Sequence, residues 1–427
     1  MQGECVNMDV SGKRAFDLLK SLAYVRVSGT PEEKQAAQVL LNVVKKDGVE
    51  GYIDTFPVHA GKVHRARLTV TAPYVKEYEC TGFIRGESTP EGGLETELVY
   101  VEGATPVNLA RVEDKVALIN GRLNYKLYEK LMGAKVAGII SYSGTVIDRE
   151  SETDIDILKL RETWTEPFGF TVAVNVRAKS AMDMVKKKAS RVRIEVESER
   201  FDVESRNVRA VIPGTQYPDE VIDIGGHYDS VMFSTGVYDN MAGTVIVLEL
   251  MHYFAAHPPK RTLRFHCFGS EEQGLLGSKA FCAAHEEEVK KTRLMVNIDI
   301  GGSVLGSEKA IVTGSEALTH YVEGILDEAG LAVEVSRDIY SSDSIPFADR
   351  GVPGINLLRA GAPGAAFIHD RRDNLKNGFL SAEGLESTAR VALEIVRRVA
   401  NAGNMPVKRE IPDDIREKVD KYLFRKK

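Results

Sequence analysis

The chain has 427 residues, 43% of them hydrophobic and 28% charged, with 56 Lys and Arg against 62 Asp and Glu for a formal net charge of -6. That is the composition of a globular chain long enough for a full core and more than one domain. It excludes a broad basic surface, so neither nucleic acid nor another polyanion is expected as a partner. No run of about eighteen apolar residues occurs, and no membrane span is expected.

The first twenty residues, MQGECVNMDVSGKRAFDLLK, are charged and helix-like, without an apolar h-region or a small-residue cleavage site. No secretory leader is read there, which predicts a cytoplasmic location. The scattered Cys5, Cys80, Cys267 and Cys282 fit reduced thiols. From Ser28, SGTPEEKQAAQVLLNVVKKDG predicts a helix with Thr30 as N-cap, Pro31 at the first position, Glu33 closing a capping box and Gly48 ending it. RARLTVTAPY, ETELVYVEGA and EDKVALINGR then read as short strands, and the helix NYKLYEKLMG runs into the apolar strand VAGIISY. These define a small α/β or β-barrel unit at roughly 74–188.

Beyond it, strands and helices alternate. VRIEVES, NVRAVIPG, EVIDIGG, RTLRFHCFG, RLMVNIDIGG and GVPGINLLR are strands, with helices from near Asn240 and around 274–290, 315–329 and 381–401. The fold class is α/β. Because RVRIEV to NVRAVI resumes a sheet begun earlier, 74–188 is read as an insertion into one catalytic domain made of 1–73 and 189–427.

Five stretches close a strand with a side chain that can hold a metal: GGHYDS with His227, VYDN with Asp239, GSEEQG with Glu271 and Glu272, NIDIGG with Asp299, and FIHDRRDN with His369. In open α/β sheets, ligands bind at the carboxyl ends of strands. Two imidazoles and three carboxylates suit zinc and its first-row neighbours, cobalt and manganese included, better than magnesium or calcium. Two ions with about three protein ligands each ask for six places. Asp239 can fill two as a bridge, with His227 and Asp299 completing one shell and Glu272 and His369 the other. A shared water between two such ions becomes hydroxide near neutrality. Glu271 then serves as general base for that nucleophile, and Asp229 fixes the His227 imidazole.

Each feature has an ordinary alternative when taken alone. A histidine beside a strand can be a satisfied structural residue. Glu271 and Glu272 can be an acidic pair at a helix N-terminus, and Asp239 and Asn240 can cap the helix NMAGTVIVLELMHYF. The ordered set at successive strand ends favours the shared chemical role.

The blocks RVSGTPEEKQAA, GGHYDS, GVYDNMAGTVIVLE, FGSEEQGLLGSKAF, NIDIGG, SDSIPF with GVPGINL, and IHDRRDN resemble the di-zinc exopeptidases typified by bacterial leucine aminopeptidase, aminopeptidase S and aminopeptidase Y. The resemblance implies a phosphorylase/hydrolase-like mixed sheet flanked by helices. It implies two divalent ions, most often zinc, a peptide substrate with a free N-terminus, and a cis peptide after Asp239. The middle unit looks like a protease-associated insertion domain. Where many relatives read Ser-Asp-His, this chain has Ser342-Asp343-Ser344. Tyr340, just upstream, is a candidate donor to the oxyanion or else a core tyrosine. Asp373 is expected to support the His369 imidazole. Arg371 and Arg372 either bind a substrate carboxylate or pair with a neighbouring acid. Other readings of the fold are a carboxypeptidase-type exopeptidase, a glutaminyl cyclase and a metal-free receptor or scaffold.

Overall fold

The computed structural model describes residues 10–151 and 153–425; Cys5 lies outside them. Cys80, Cys267 and Cys282 are free thiols, and no described helix is long and apolar enough to cross a membrane.

The chain divides into two units, one of residues 1–58 and 204–427, the other of residues 59–203. These bounds are wider than the 74–188 expected of the middle segment. The turn signals near Pro73 and Lys188 do not mark the division, because the strands Glu50–Ala72 and Arg191–Ile212 pair with each other and each runs past it without a break. The short strands expected from RARLTVTAPY and from VRIEVES to NVRAVIPG are parts of these two.

The first unit is built on a mixed sheet with helices on both faces. Its central strands Gly354–Gly361, Thr292–Ile298, Tyr217–His227 and Arg261–Phe268 are mutually parallel. The strands Gly306–Thr313 and Arg191–Ile212 are antiparallel to the two ends of that block, and Val333–Arg337 extends the edge. Parallel strands are covered on both faces, and every residue of RTLRFHCF is buried, the polar Arg261, Thr262, Arg264 and His266 included. One face is closed by the helices Gly12–Ser21, Pro31–Lys46, Ala242–Ala256 and Ala382–Asn401 around a core that includes Leu40, Ile224, Ile246, Val296 and Val396. The helix Ala242–Ala256 is apolar nearly all round because other elements surround it. On the other face Phe268 and Met295 of the sheet pack against Phe281 of the helix Leu276–Ala284 and Phe347 of the helix Ile345–Ala348. The helix expected at 274–290 is two, broken at His285.

Thr30 does cap the helix Pro31–Lys46, accepting from the Glu33 amide at 3.3 Å. The reciprocal arm differs from the expected box. The fully buried Glu33 carboxylate takes the Gly29 amide at 2.8 Å and also bonds Ser205 and Arg206. The capping residue has been recruited to tie the N-terminal segment to the sheet.

The second unit has a smaller sheet in which Leu94–Tyr100, Val116–Leu118, Gly138–Ser143 and Val172–Arg177 are parallel neighbours, with Cys80–Gly82 antiparallel at one edge. The helix Tyr125–Gly133 precedes Gly138–Ser143 in the expected order.

A buried ion network holds the central sheet of the first unit. Asp223 accepts from Arg264 Nε at 2.5 Å and Nη2 at 2.9 Å, from His266 Nε2 at 2.6 Å and from Thr292 Oγ1 at 2.7 Å. Burial opposes the charge on Asp223, but Arg264 and His266 outweigh it and hold its carboxyl well below the usual range. Burial lowers the His266 pKa, so the ring stays neutral and donates from Nε2. Removing one partner of a buried pair leaves the other uncompensated. Asp223→Asn is therefore expected to lose about 3–5 kcal/mol of stability in denaturant unfolding. A loss well under 1 kcal/mol would show that Arg264 finds another partner.

Candidate metal centre

Four loops at the carboxyl ends of the parallel strands bring the sequence candidates together. His227 ends Tyr217–His227, Glu271 and Glu272 follow Arg261–Phe268, Asp299 follows Thr292–Ile298, and the loop after Gly354–Gly361 carries His369. Asp239 enters from the irregular turn Val237–Met241 that leads into the buried helix. Ligand atoms of His227, Asp239 and Asp299 lie within 4.8 Å of one another, and so do those of Asp239, Glu272 and His369.

Asp239 belongs to both groups and presents a different oxygen to each. Its Oδ1 is 3.3 Å from His227 Nε2, and its Oδ2 is 3.2 Å from His369 Nε2. His227 Nε2 is 3.6 Å from Asp299 Oδ1, and His369 Nε2 is 3.0 Å from Glu272 Oε2. Glu271 belongs to neither group, with Oε2 3.8 Å from His227 Nε2. Asp229 stands between two parts of the site. Its Oδ1 is 3.5 Å from His227 Nδ1, and its carboxylate accepts the backbone amides of Glu271 at 3.0 Å and Glu272 at 3.3 Å.

The electrostatics are those of a nest of acids short of cations. Burial pushes the Glu271 carboxyl well up, with Glu272, Asp343 and Asp299 adding repulsion. Burial and Asp239 push Glu272 up to about 7. Burial works against a charged imidazole, yet the surrounding carboxylates raise His227 well above its ordinary value and His369 to about 11. Glu272 Oε1 and His227 Nδ1 are buried without a hydrogen-bond partner. Oxygen and imidazole donors in two groups of three that share one carboxylate fit two divalent cations, which would relieve this repulsion.

The turn that carries Asp239 is pinned from several sides. The peptide between Asp239 and Asn240 is cis, as the resemblance implied. Asn240 Nδ2 donates to Ile298 O at 2.9 Å, while its Oδ1 accepts from Ile300 N and Gly243 N, both at 2.9 Å. Asn240 thus caps the following helix and also brackets Asp299. Asp373 does not support His369 as expected. Its oxygens accept the amides of Tyr238 at 2.9 Å and Asp239 at 3.1 Å. Arg372 pairs bidentately with Asp370 and stacks over Phe367, the ion-pair alternative.

Sequence reading missed Arg26. Its guanidinium is fully buried and donates to five backbone carbonyls, of Leu22, Tyr24, Tyr228, Thr235 and Gly236, at 2.5–3.1 Å. It thereby joins the segment after His227 to the turn before Asp239. The only local signal is an arginine just ahead of SGTPEE, since its acceptors come from distant segments. Ser28, Ser270 and Ser205 form a hydroxyl chain from the same N-terminal stretch to the residue before Glu271.

Residues 207–396 match peptidase family M28. Among curated proteins the chain is similar to aminopeptidase YwaD of Bacillus subtilis, 25% identical over 360 residues covering 81% of this chain and 75% of that one. Mouse carboxypeptidase Q is 23% identical over 378 residues, covering 82% and 79%. Among solved structures, the aminopeptidase from Aneurinibacillus sp. strain AM-1 superposes with a TM-score of 0.76 at 22% identity, covering 94% of this chain and 96% of that one. The zinc aminopeptidase BSAP from Bacillus subtilis gives 0.76 at 19% identity, covering 95% and 99%. The solved structures show the fold, and the family match marks 207–396 as a domain of the peptidase M28 kind. The matched stretch, 207–396, spans the strands and loops that gather the acids and imidazoles.

Asp373→Ala removes the acceptor of two amides at the shared ligand. It is expected to weaken metal retention about 10- to 100-fold in chelator competition, with the circular dichroism spectrum unchanged. Retention equal to the parent protein would show that Asn240 and Arg26 suffice to hold the turn.

Proposed function

We propose that the protein is an aminopeptidase that hydrolyses the first bond of a peptide with a free N-terminus, using two divalent ions, with zinc the first choice and cobalt or manganese as substitutes. The observation that carries this is the split allegiance of Asp239, one oxygen toward His227 and the other toward His369. Similarity to aminopeptidase YwaD and to the zinc aminopeptidase BSAP supports both the reaction and the metal.

His227 and Asp299 would hold one ion, Glu272 and His369 the other, and Asp239 both. Bound there, the ions would polarise the scissile carbonyl and acidify a water between them. Glu271 would accept that water's proton; its carboxylate lies beside His227 but outside both groups of three, which supports the role. It then returns the proton to the leaving amine. Asp229 keeps Glu271 and Glu272 in register through their amides, and its Oδ1, 3.5 Å from His227 Nδ1, would orient the ring. Tyr340 is the donor for the developing oxyanion. Burial and the nearby Asp299, Asp239 and Glu271 carboxylates push its hydroxyl far above the ordinary value, so it stays protonated. The carboxylates at the rim would receive the substrate's α-ammonium group.

A carboxypeptidase reading has the support of carboxypeptidase Q, but Arg372, a candidate for a substrate carboxylate, is already engaged by Asp370. A glutaminyl cyclase needs one ion, and two groups of three argue for two. The complete ligand set argues against a metal-free scaffold. The middle unit is proposed to be a protease-associated insertion.

Aminoacyl reporter substrates, N-blocked peptides and an N-terminal glutamine peptide, each assayed after chelation and metal restoration, separate these readings. Amino-acid release from free N-termini alone is expected. Release from N-blocked peptides would favour the carboxypeptidase, and ammonia without amino acid the cyclase. Glu271→Gln is expected to keep its metal and lose about 10²- to 10⁴-fold in kcat. An unchanged kcat would assign the base elsewhere.

A further inference from the structure

The helix Asp413–Tyr422 lies beyond the segment matched to the peptidase family, and none of the site residues sits on it. Its contacts nevertheless converge on the loop that carries Tyr340. Asp414, Lys418 and Tyr422 are spaced four apart and so form one stripe of the helix. Arg337 binds Asp414 bidentately, with Nη1 to Oδ2 at 2.7 Å and Nη2 to Oδ1 at 2.8 Å. Lys418 Nζ donates to Asp338 Oδ1 at 2.8 Å, and Tyr422 Oη lies 2.7 Å from Ser341 Oγ. These three tethers take residues 337, 338 and 341, on both sides of Tyr340.

The neighbouring stripe is apolar. Ile415 and Val419, with Ile411 one turn earlier, are buried against Leu275, Ile345 and Ala348. Leu275 closes the turn that begins at Glu271, its amide donating to Glu271 O at 2.8 Å. Ile345 follows Ser344 on the same segment as Tyr340. Arg425, just past the helix, pairs with Asp349 at the far end of that segment. The ends of the stretch are also tied to the sheet, Asp338 N to Val312 O at 3.2 Å, Thr313 Oγ1 to Asp338 O at 2.9 Å and Asn297 Nδ2 to Ser342 Oγ at 2.9 Å, while between them Ile339 N bonds Asp338 Oδ1 and Ser342 N bonds Tyr340 O. Exposed ion pairs are individually weak, but two of them and a hydroxyl hydrogen bond on one rigid helix, seated by a buried apolar stripe, restrict the loop far more than any one of them.

We propose that the C-terminal helix is a positioning element for the reaction: Asp414, Lys418 and Tyr422 clamp residues 337–341 and hold the Tyr340 hydroxyl in place for the oxyanion. The inference rests on the role given to Tyr340 above. Holding a donor within a fraction of an ångström matters because a misplacement of about 1 Å can cost roughly 100-fold in rate.

The test is a variant carrying Asp414→Ala, Lys418→Ala and Tyr422→Phe, which leaves Ile411, Ile415 and Val419 to seat the helix. It is made in the parent and in the Tyr340→Phe background. In the parent background kcat is expected to fall about 10-fold with KM within about twofold and metal content unchanged. Tyr340→Phe alone is expected to lose about 100-fold in kcat. Adding the triple substitution to Tyr340→Phe should cost less than about twofold more, because the clamp then has nothing to position. Parental kcat in the triple variant overturns the proposal. So does an equal loss in both backgrounds, which would mark the helix as a general stabiliser. Should Tyr340→Phe retain full kcat, the oxyanion role fails by itself. Amide exchange across 337–343 then decides the clamp, faster exchange in the triple variant supporting it and unchanged exchange overturning it.

Discussion

Carboxylates do not gather in a protein interior unless something positive joins them. Here Asp239, Glu271, Glu272, Asp299 and Asp343 come together at the ends of parallel strands with two imidazoles among them. Desolvation alone disfavours such a set of charges. Much of the surrounding structure serves to hold the repelling groups where bound cations can satisfy them. Asp239 carries the greatest burden because each of its oxygens faces a separate group of ligands.

The turn bearing Asp239 is fixed accordingly from three directions. Asp373 takes the amides before and at Asp239, Asn240 locks the turn to the backbone on both sides of Asp299, and Arg26 clamps the carbonyls that lead into it. Each of these is a buried polar group with its hydrogen bonds made, which gives rigidity where an unpaired one would cost stability. The Asp223, Arg264, His266 and Thr292 network does similar work in the sheet, four residues before His227 on the same strand. The scaffold and the site therefore share strands, and pre-organisation of the ligands follows from the rigidity of the sheet.

Much of this was legible in the chain because the chemistry is local. Each ligand closes an apolar strand or opens a helix, so GGHYDS, GSEEQG and NIDIGG announce both element and donor. The helix Pro31–Lys46 was equally readable from Thr30 and Pro31, since caps act within a single turn. What escaped depends on contacts between distant segments. Arg26 meets carbonyls about two hundred residues away, Glu33 leaves its capping box for Ser205, and Asp373 turns toward Tyr238 instead of the nearby His369. The division of the chain differs from the limits expected for the middle unit for a related reason. Turn-forming residues mark chain reversals, whereas the division falls inside two long paired strands whose composition does not change there.

The sharing of Asp239 between two ions is the claim on which the catalytic account stands. Crystals of the zinc-loaded protein, with anomalous diffraction recorded on both sides of the zinc edge, test it directly. Two anomalous peaks about 3.5–4 Å apart, with one Asp239 oxygen facing each, are the result expected. A single peak, or two that Asp239 does not span, would contradict it.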